Sequence, residues 1–351
     1  MEPDVNFLQK SDLSHFIRFL RIGIAYGTII HDRHCIYEKI SDESVGRIVL
    51  EVPPPVESIK GFMFPAKERV AVYPSSGEEE PTSTKQQAEQ TIIGVRACDL
   101  RALEVLDQIF LKQEVKDPFY EKRRQNTFLV TTDCVEPKET CFCNLVGGNP
   151  YAEQGYDLNI SPLEKGYLVT VGSEKGGEVI KRCKKLLTQA SPEQLEQRDR
   201  RRKAAQEKLK AFNAKFVSLT DPAKMFCNQP PEKWDRLTST CVECGACNFI
   251  CPTCHCFFLY DQPVAGSSTQ NERQKTWDSC ILGNFAKMAG VGGMKPTPRP
   301  ELRSRLENRI RHKFEWMPEN IKMLGCVGCG RCFEACLDGS DIREVITAIL
   351  G

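Results

Sequence analysis

CVECGACNFICPTCHC, residues 241–256, places six cysteines within sixteen positions. The first four, Cys241, Cys244, Cys247 and Cys251, follow C-x2-C-x2-C-x3-C and lead into Pro252. The same spacing recurs in CVGCGRCFEAC at Cys326, Cys329, Cys332 and Cys336. Three thiolates on one tight loop grip three corners of a cubane, and the fourth cysteine of each run ligates the cluster built on the other. A single run is compatible with zinc, whereas two runs of identical spacing point to two 4Fe–4S clusters. Cluster one then takes Cys241, Cys244, Cys247 and Cys336, and cluster two takes Cys326, Cys329, Cys332 and Cys251. Each fourth cysteine is expected to start a helix pointing away from its loop. Gly245, Ala246, Gly328 and Gly330 leave backbone N–H groups free to approach cluster sulfurs, which raises the reduction potential. Leu337 stands where a second proline is expected and removes no ligand.

The bulk composition is that of an ordinary globular protein, long enough for two or three domains. With 48 basic and 47 acidic residues in 351, the formal charge is +1, so no global affinity for nucleic acid or membrane follows. The 18 cysteines are too clustered for a disulfide scaffold. The N-terminal MEPDVNFLQKSDLSHF lacks the basic and apolar regions of a secretory signal, and the expectation is a reducing, cytoplasmic setting. The longest apolar run, Phe19 to Ile30, is broken by Arg21 and too short to span a bilayer, so no membrane insertion is expected.

Outward from the cysteine runs, periodicity predicts an α+β chain. Leu13, Phe16, Ile17 and Leu20 mark a short helix after Ser11-Asp12, and strand-like pieces follow at Ile22–Ile30, Gly46–Val52 and Arg69–Val72. The polar insert SSGEEEPTSTKQQAEQ (75–90) reads as an exposed loop. TIIGVRACDLRALEVLDQIFL (91–111) reads as strand, turn and helix, TFLVTTDC (127–134) as a strand closing on cysteine, and 156–172 as a hairpin. Ser191-Pro192 with Gln194 forms a capping box ahead of a strongly charged helix. Its RDRRRK reads as a solvated face and not as a nucleic-acid patch, because acidic and amide residues interleave and no aromatic platform accompanies it. QNERQKTWDSCILGNFAKMAG (270–290) reads as a helix ended by Gly290, and 301–317 as another ended by Pro318. These helices are expected to replace the hairpins of a small ferredoxin. The expected organisation is an α/β N-terminal domain over 1–190, a charged helical linker over 191–235, and an α-helical ferredoxin-like dicluster domain over 236–351.

Seven further cysteines sit in patterned places. Cys98 lies at a strand-to-helix turn, Cys134 ends a strand, and Cys141 and Cys143 form C-x-C; together they suffice for a third cubane. Cys254 and Cys256, with Cys280, supply three ligands of a fourth, whose remaining ligand is non-cysteine, with His255 or Asp99 as candidates, or absent. Buried structural thiols are the plainer reading of these residues. Cys251-Pro-Thr-Cys254-His255 also matches a c-type haem attachment, but the ferredoxin run already claims Cys251. Cys35, Cys183 and Cys227 follow no pattern. There is no dinucleotide fingerprint, phosphate loop or nucleophile elbow, and the five histidines form no zinc helix.

With these motifs the chain resembles a family formed by the iron–sulfur beta subunits of cytoplasmic sulfhydrogenases and the matching iron–sulfur subunits of anaerobic sulfite reductases. The resemblance is carried by FMFP (62–65), GVRACDLRAL (94–103), TCFC (140–143), GYDL (155–158), VGSEKG (171–176), CVECGACNFICPTCHCF (241–257), WDSC (277–280), NRIRHKF (308–314) and CVGCGRCFEAC (326–336). It implies a non-catalytic electron-transfer subunit of an anaerobic oxidoreductase complex. Such a subunit links a flavin- and NAD(P)-binding subunit to a catalytic one of hydrogenase, sulfite reductase or heterodisulfide-reductase type. By motif it also implies that Cys98, Cys134, Cys141, Cys143, Cys254, Cys256 and Cys280 are cluster ligands. The alternative is an iron–sulfur reductase that binds substrate at an incompletely ligated cluster near Cys254, Cys256 and Cys280.

Overall fold

The computed structural model describes residues 4–76, 88–219, 230–288 and 296–350. Cys227, Gly290 and most of the acidic insert lie outside them. Eleven strands are described: β1 (Val5–Gln9), β2 (Ile24–His31), β3 (His34–Lys39), β4 (Lys67–Pro74), β5 (Gln90–Val95), β6 (Thr127–Thr132), β7 (Leu158–Pro162), β8 (Gly166–Val171), β9 (Leu187–Gln189), β10 (Phe257–Pro263) and β11 (Gln270–Trp277). The α-helices are α1 (Leu13–Leu20), α2 (Lys60–Met63), α3 (Ala97–Phe110), α4 (Pro118–Gln125), α5 (Glu174–Arg182), α6 (Pro192–Phe212), α7 (Pro231–Thr238), α8 (Ala246–Phe249), α9 (Leu302–Arg311), α10 (Met317–Ile321), α11 (Arg331–Glu334) and α12 (Ile342–Leu350).

Eight strands form one sheet in the order β3-β2-β5-β6-β7-β8-β1-β9. Its centre, β2-β5-β6-β7, is parallel, and the remaining pairings are antiparallel. Side chains alternate across a strand, so the central strands feed two cores. Ile93, Phe128 and Val130 join the cluster that contains Phe16, Ile17 and Leu20 of α1 and Val179 and Ile180 of α5. Ile92, Val95 and Leu129 join the other, with Leu100, Leu103 and Leu106 of α3 and Tyr120 of α4. The N-terminal part is therefore a mixed sheet between helical layers, as expected. The carboxyl ends of parallel strands are where such sheets place ligands. Here Arg96, Ala97 and Cys98 follow β5, and Asp133 and Cys134 follow its neighbour β6.

Four expectations are corrected. Residues 270–277 form strand β11, and no helix occupies the described part of 270–290. The central strand of a second antiparallel sheet, β10-β11-β4, is thus built from a stretch rich in Gln, Glu, Arg and Lys. Pairing with β4 overrides the helix-favouring composition: Lys275 is buried and ion-paired to Glu68 (3.0 Å) and Asp117 (2.6 Å), and the Trp277 indole donates to Phe64 O. The dicluster part accordingly contains a hairpin, and that hairpin shares a sheet with an N-terminal strand. Second, Gly46–Val52 is no strand. It turns through a 3₁₀ segment, Val45–Arg47, and the carbonyls of Leu50 and Val52 accept from the Arg96 guanidinium. Third, Pro318 does not end the helix after α9. A π-helical turn, His312–Trp316, follows α9, and Pro318 then sits in the first turn of α10, where its missing N–H costs nothing.

Fourth, α6 is more than a solvated face. It carries the expected capping box, but Ala205 and Leu209 are buried, and Arg202 is held by Asp133 in a two-pronged ion pair (2.7 and 3.1 Å). Arg202 also lies over the Tyr151 ring, 4.3 Å from its centre. Leu209 packs on Cys141 and Cys143, and the Asn213 amide that caps the helix donates to Cys141 O at 2.9 Å. Among the described residues no helix is long and apolar enough to cross a membrane.

Candidate iron–sulfur centres

The two cysteine runs fold alike. Gly245 (φ +72) and Gly330 (φ +75) take the left-handed conformation directly before α8 and α11, turning each loop so that Cys247 and Cys332 sit inside the short helices. The fourth cysteines, Cys251 and Cys336, follow α8 and α11 and do not start helices, which corrects the expectation that each would. Crossing is achieved by packing α8 against α11. An apolar cavity beside them is lined by Cys241 and Cys247 of the first run and by Cys332 and Cys336 of the second, closed by Leu237, Ile281, Leu306 and Ile342. Cys244 is exposed at its edge of the fold. Cys251 is buried, and its charge bears on Cys326, Cys329 and Cys332 alike. The cavity thus sets Cys336 beside Cys241 and Cys247, with Cys332 in the same lining.

A second cavity is walled by Cys98, Cys134, Cys141 and Cys143, all four of the third set. Cys98 lies in the first turn of α3, whose N-terminus favours an anion. Burial pushes the Cys134 thiol up to about 12 and the Cys141 thiol up to about 11, and drives Cys98 and Cys143 upward as well. Left to themselves these groups are neutral; cationic iron between them would make thiolates favourable. Arg96 lines the same cavity. It is 1% exposed, its two terminal nitrogens donate to Asp133 O, Leu50 O and Val52 O, and its Nε is buried without a partner among the described residues. An orphaned cationic donor beside three buried thiols and the half-buried Cys98 fits an anionic cluster. Among the described residues no three His, Cys, Asp or Glu side chains converge tightly enough for a lone metal ion; the thiols ring cavities.

The third set is bolted to the second run. Phe142 N donates to Gly328 O at 2.7 Å, and the Cys141 thiol lies 3.9 Å from Cys329 O. A Cβ on Gly328 (φ +67) would meet Cys143 N and Phe142 C and O at 2.5 Å, so only glycine permits this approach. Between the same loops, Arg331 and Asp99 form a bidentate ion pair (2.6 and 2.8 Å) with exposures of 2% and 0%, and Arg331 Nε donates to Pro55 O. Asp99 is therefore fully engaged and does not serve the fourth set.

That set gathers around Asn248. Its amide nitrogen donates to Cys280 Sγ (3.2 Å) and Ser279 Oγ (3.0 Å), and its oxygen accepts from Arg309 Nε (2.7 Å) and lies 3.5 Å from Cys254 Sγ. The Cys256 thiol faces Cys280 and, by donating to it, pulls the Cys280 thiol down to about 6. His255 has Nδ1 on Thr253 O (3.0 Å), with its ring between Phe110 and His312. Two buried lysines flank the set: Lys60 reaches Phe249 O (2.9 Å) and lies over Trp277, and Lys313 contacts Cys251 Sγ. Cys35 and Cys183 are buried, and the Cys183 thiol donates to Val179 O. Arg309 and Lys313 belong to the basic face of 301–317, which the sequence leaves open between the clusters, a partner and solvent; sequence reasoning missed Arg96 and Arg331. Their signal was placement inside the cysteine-bearing motifs, which charge counting alone does not register.

The whole chain can be set beside known proteins with this geometry in view. Sulfhydrogenase 2 subunit beta of Pyrococcus furiosus is 30% identical over 330 residues, covering 92% of this chain and 90% of the relative. The chain belongs to the sulfhydrogenase beta-subunit family. A family model described as a 4Fe–4S dicluster domain matches residues 240–340, which span both cysteine runs and the β10-β11 hairpin between them. The chain thus joins a mixed-sheet N-terminal part to a 4Fe–4S dicluster part, and it is an iron–sulfur electron-transfer subunit.

Proposed function

We propose that this sulfhydrogenase beta-type chain is the electron relay of a hydrogenase-type complex, and that it holds clusters beyond the two of its dicluster domain. A bound 4Fe–4S cluster takes up and returns one electron. Cys241, Cys244, Cys247 and Cys336 would hold the first, and Cys326, Cys329, Cys332 and Cys251 the second. Cys98, Cys134, Cys141 and Cys143 would hold a third, and Cys254, Cys256 and Cys280 contribute to a further one. The observation that carries the reading is the direct contact between the third cysteine loop and the second run, Phe142 N to Gly328 O. Tunnelling needs short hops, and two ligand loops in backbone contact supply one.

The P. furiosus relative is named a sulfhydrogenase subunit. By that likeness the partners are a catalytic subunit of hydrogenase type and, at the other end of the relay, a flavin- and NAD(P)-binding subunit in the cytoplasm. Iron and sulfide analysis of anaerobically purified protein, with EPR of the reduced state, tests the reading. Less iron than two four-iron clusters require in a fully loaded sample would reject it. The three-cysteine set flanked by Lys60 and Lys313 favours a second reading, substrate binding at that position. Turnover by the isolated chain with an artificial donor would establish it in place of the relay.

A further inference from the structure

We propose that Lys313 sets the reduction potential of the cluster ligated by Cys251, placing a fixed positive charge and an N–H donor against that sulfur. The inference rests on the reading of Cys251 as the crossing ligand to the 326–332 loop. Lys313 is 4% exposed, and its ammonium lies 3.4 Å from Cys251 Sγ, 3.0 Å from Thr253 Oγ1 and 2.9 Å from Gly325 O. Its three protons therefore have three acceptors, none of them a carboxylate. Its electrostatic partners are the sulfurs of Cys251, Cys254 and Cys326, with the Arg309 guanidinium opposing. A buried ammonium facing neutral thiols is costly, and a buried charge is kept where something of opposite sign meets it. Among the groups that act most strongly on Lys313, the opposite sign comes from these cysteines as thiolates.

The backbone is built to hold the ammonium there. Lys313 lies in the π-helical turn His312–Trp316, a local widening that accumulates at functional sites. Gly325, the residue before Cys326, donates its N–H to Lys313 O at 2.7 Å. A Cβ on Gly325 would meet Lys313 Cα at 2.8 Å and Met317 Sδ at 2.4 Å. The π-turn and the cluster loop are thus in van der Waals contact, and lysine reaches across that contact to the incoming ligand. Reduction adds negative charge to the cluster, so both the cation and the hydrogen bond to sulfur stabilise the reduced form more than the oxidised form. Both effects raise the potential.

Lys313→Met keeps the length of the side chain and removes its charge. Potentiometric EPR titration of the iron-replete full chain should show one cluster displaced toward the oxidised form about tenfold or more at a given potential. That corresponds to about 59 mV for a one-electron couple. Lys313→Arg should stay close to wild type. An unmoved potential in iron-replete Lys313→Met, or the same displacement of every cluster, overturns the proposal. A second measurement needs no folded variant. Wild-type protein grown on isotope-labelled lysine should show hyperfine coupling from a lysine nitrogen at one reduced cluster, lost in Lys313→Arg. Its absence at every cluster overturns the proposal even where Lys313→Met fails to take up iron. Cys251→Ser separates the two levels of failure. If both dicluster signals survive it, the ligand assignment is wrong. If the 326–332 cluster is lost and no lysine coupling is found, the lysine proposal alone falls.

Discussion

Replacing Asp99 by Asn should destabilise the protein far more than an exposed ion-pair change, and replacing both Asp99 and Arg331 by apolar residues should cost less than the single change. The pair is bidentate at 2.6 and 2.8 Å, with both side chains essentially inaccessible. Removing one partner strands a buried charge, which costs roughly 3–5 kcal/mol, whereas an apolar pair of similar volume is often near neutral. In Asp99→Asn, Arg331 keeps Pro55 O as an acceptor, and the new amide offers it one neutral oxygen in place of two charged ones. The cost should therefore fall toward the lower end, about 3 kcal/mol. Unfolding of a cluster-bearing chain is irreversible, so the relevant quantity is a rate. Bleaching of the cluster absorbance in urea under anaerobic conditions measures it. If the pair breaks before the unfolding barrier, 3 kcal/mol accelerates bleaching by roughly two orders of magnitude. Asp99→Leu combined with Arg331→Met should recover most of that loss, because no charge is left behind. A bleaching rate within about twofold of wild type for Asp99→Asn, well under 1 kcal/mol, would refute the view that this pair fastens the α3 turn to the second cysteine run.

Cys251→Ser should abolish the cluster built on Cys326, Cys329 and Cys332 and spare the one built on Cys241, Cys244 and Cys247; iron content and EPR against Cys241→Ser decide it, and loss confined to the nearer cluster would reverse the assignment. Gly328→Ala should cost about 1–3 kcal/mol and release iron from the Cys98, Cys134, Cys141 and Cys143 set first, because the new methyl collides with the Phe142–Cys143 backbone at 2.5 Å and the φ is left-handed. Iron-free protein should lose stability in alkali. Cys134 and Cys141 are held at about 12 and about 11 when folded, above the ordinary thiol value near 8.5. The folded state thus keeps protons that the unfolded state releases, and the stabilisation present below the ordinary value is lost as pH rises toward 11 and 12. Urea midpoints of the iron-free chain between neutral pH and pH 11 measure this; a midpoint that rises with pH would contradict it.

The cysteine spacing carried a great deal. The approach of Cys336 to Cys241 and Cys247, the mixed α/β N-terminal part and the gathering of Cys98, Cys134, Cys141 and Cys143 were legible, because ligand spacing is local and β5-α3 and β6 follow ordinary periodicity. The hairpin was not. QNERQKTW is strand only because β4, about two hundred residues earlier, offers Glu68 to Lys275 and a backbone edge to pair with. The π-turn was hidden for a related reason: NRIRHKF reads as uninterrupted helix, and its widening follows from the Gly325 loop pressing on Lys313.

Local sequence singles out the thiols that would bind iron, since thiolate chemistry and the reach of a tight loop are properties of a few adjacent residues. It also determined the parallel strands whose ends carry Cys98 and Cys134, since an apolar run followed by a turn is local. Tertiary structure alone decided how the ligand sets are joined and charged. Arg331 meets Asp99, Phe142 meets Gly328, and Lys313 meets Cys251 across separations that no periodicity encodes. Burial then gives those contacts their weight. A charge or donor that water would screen at the surface acts several-fold more strongly beside a buried cysteine.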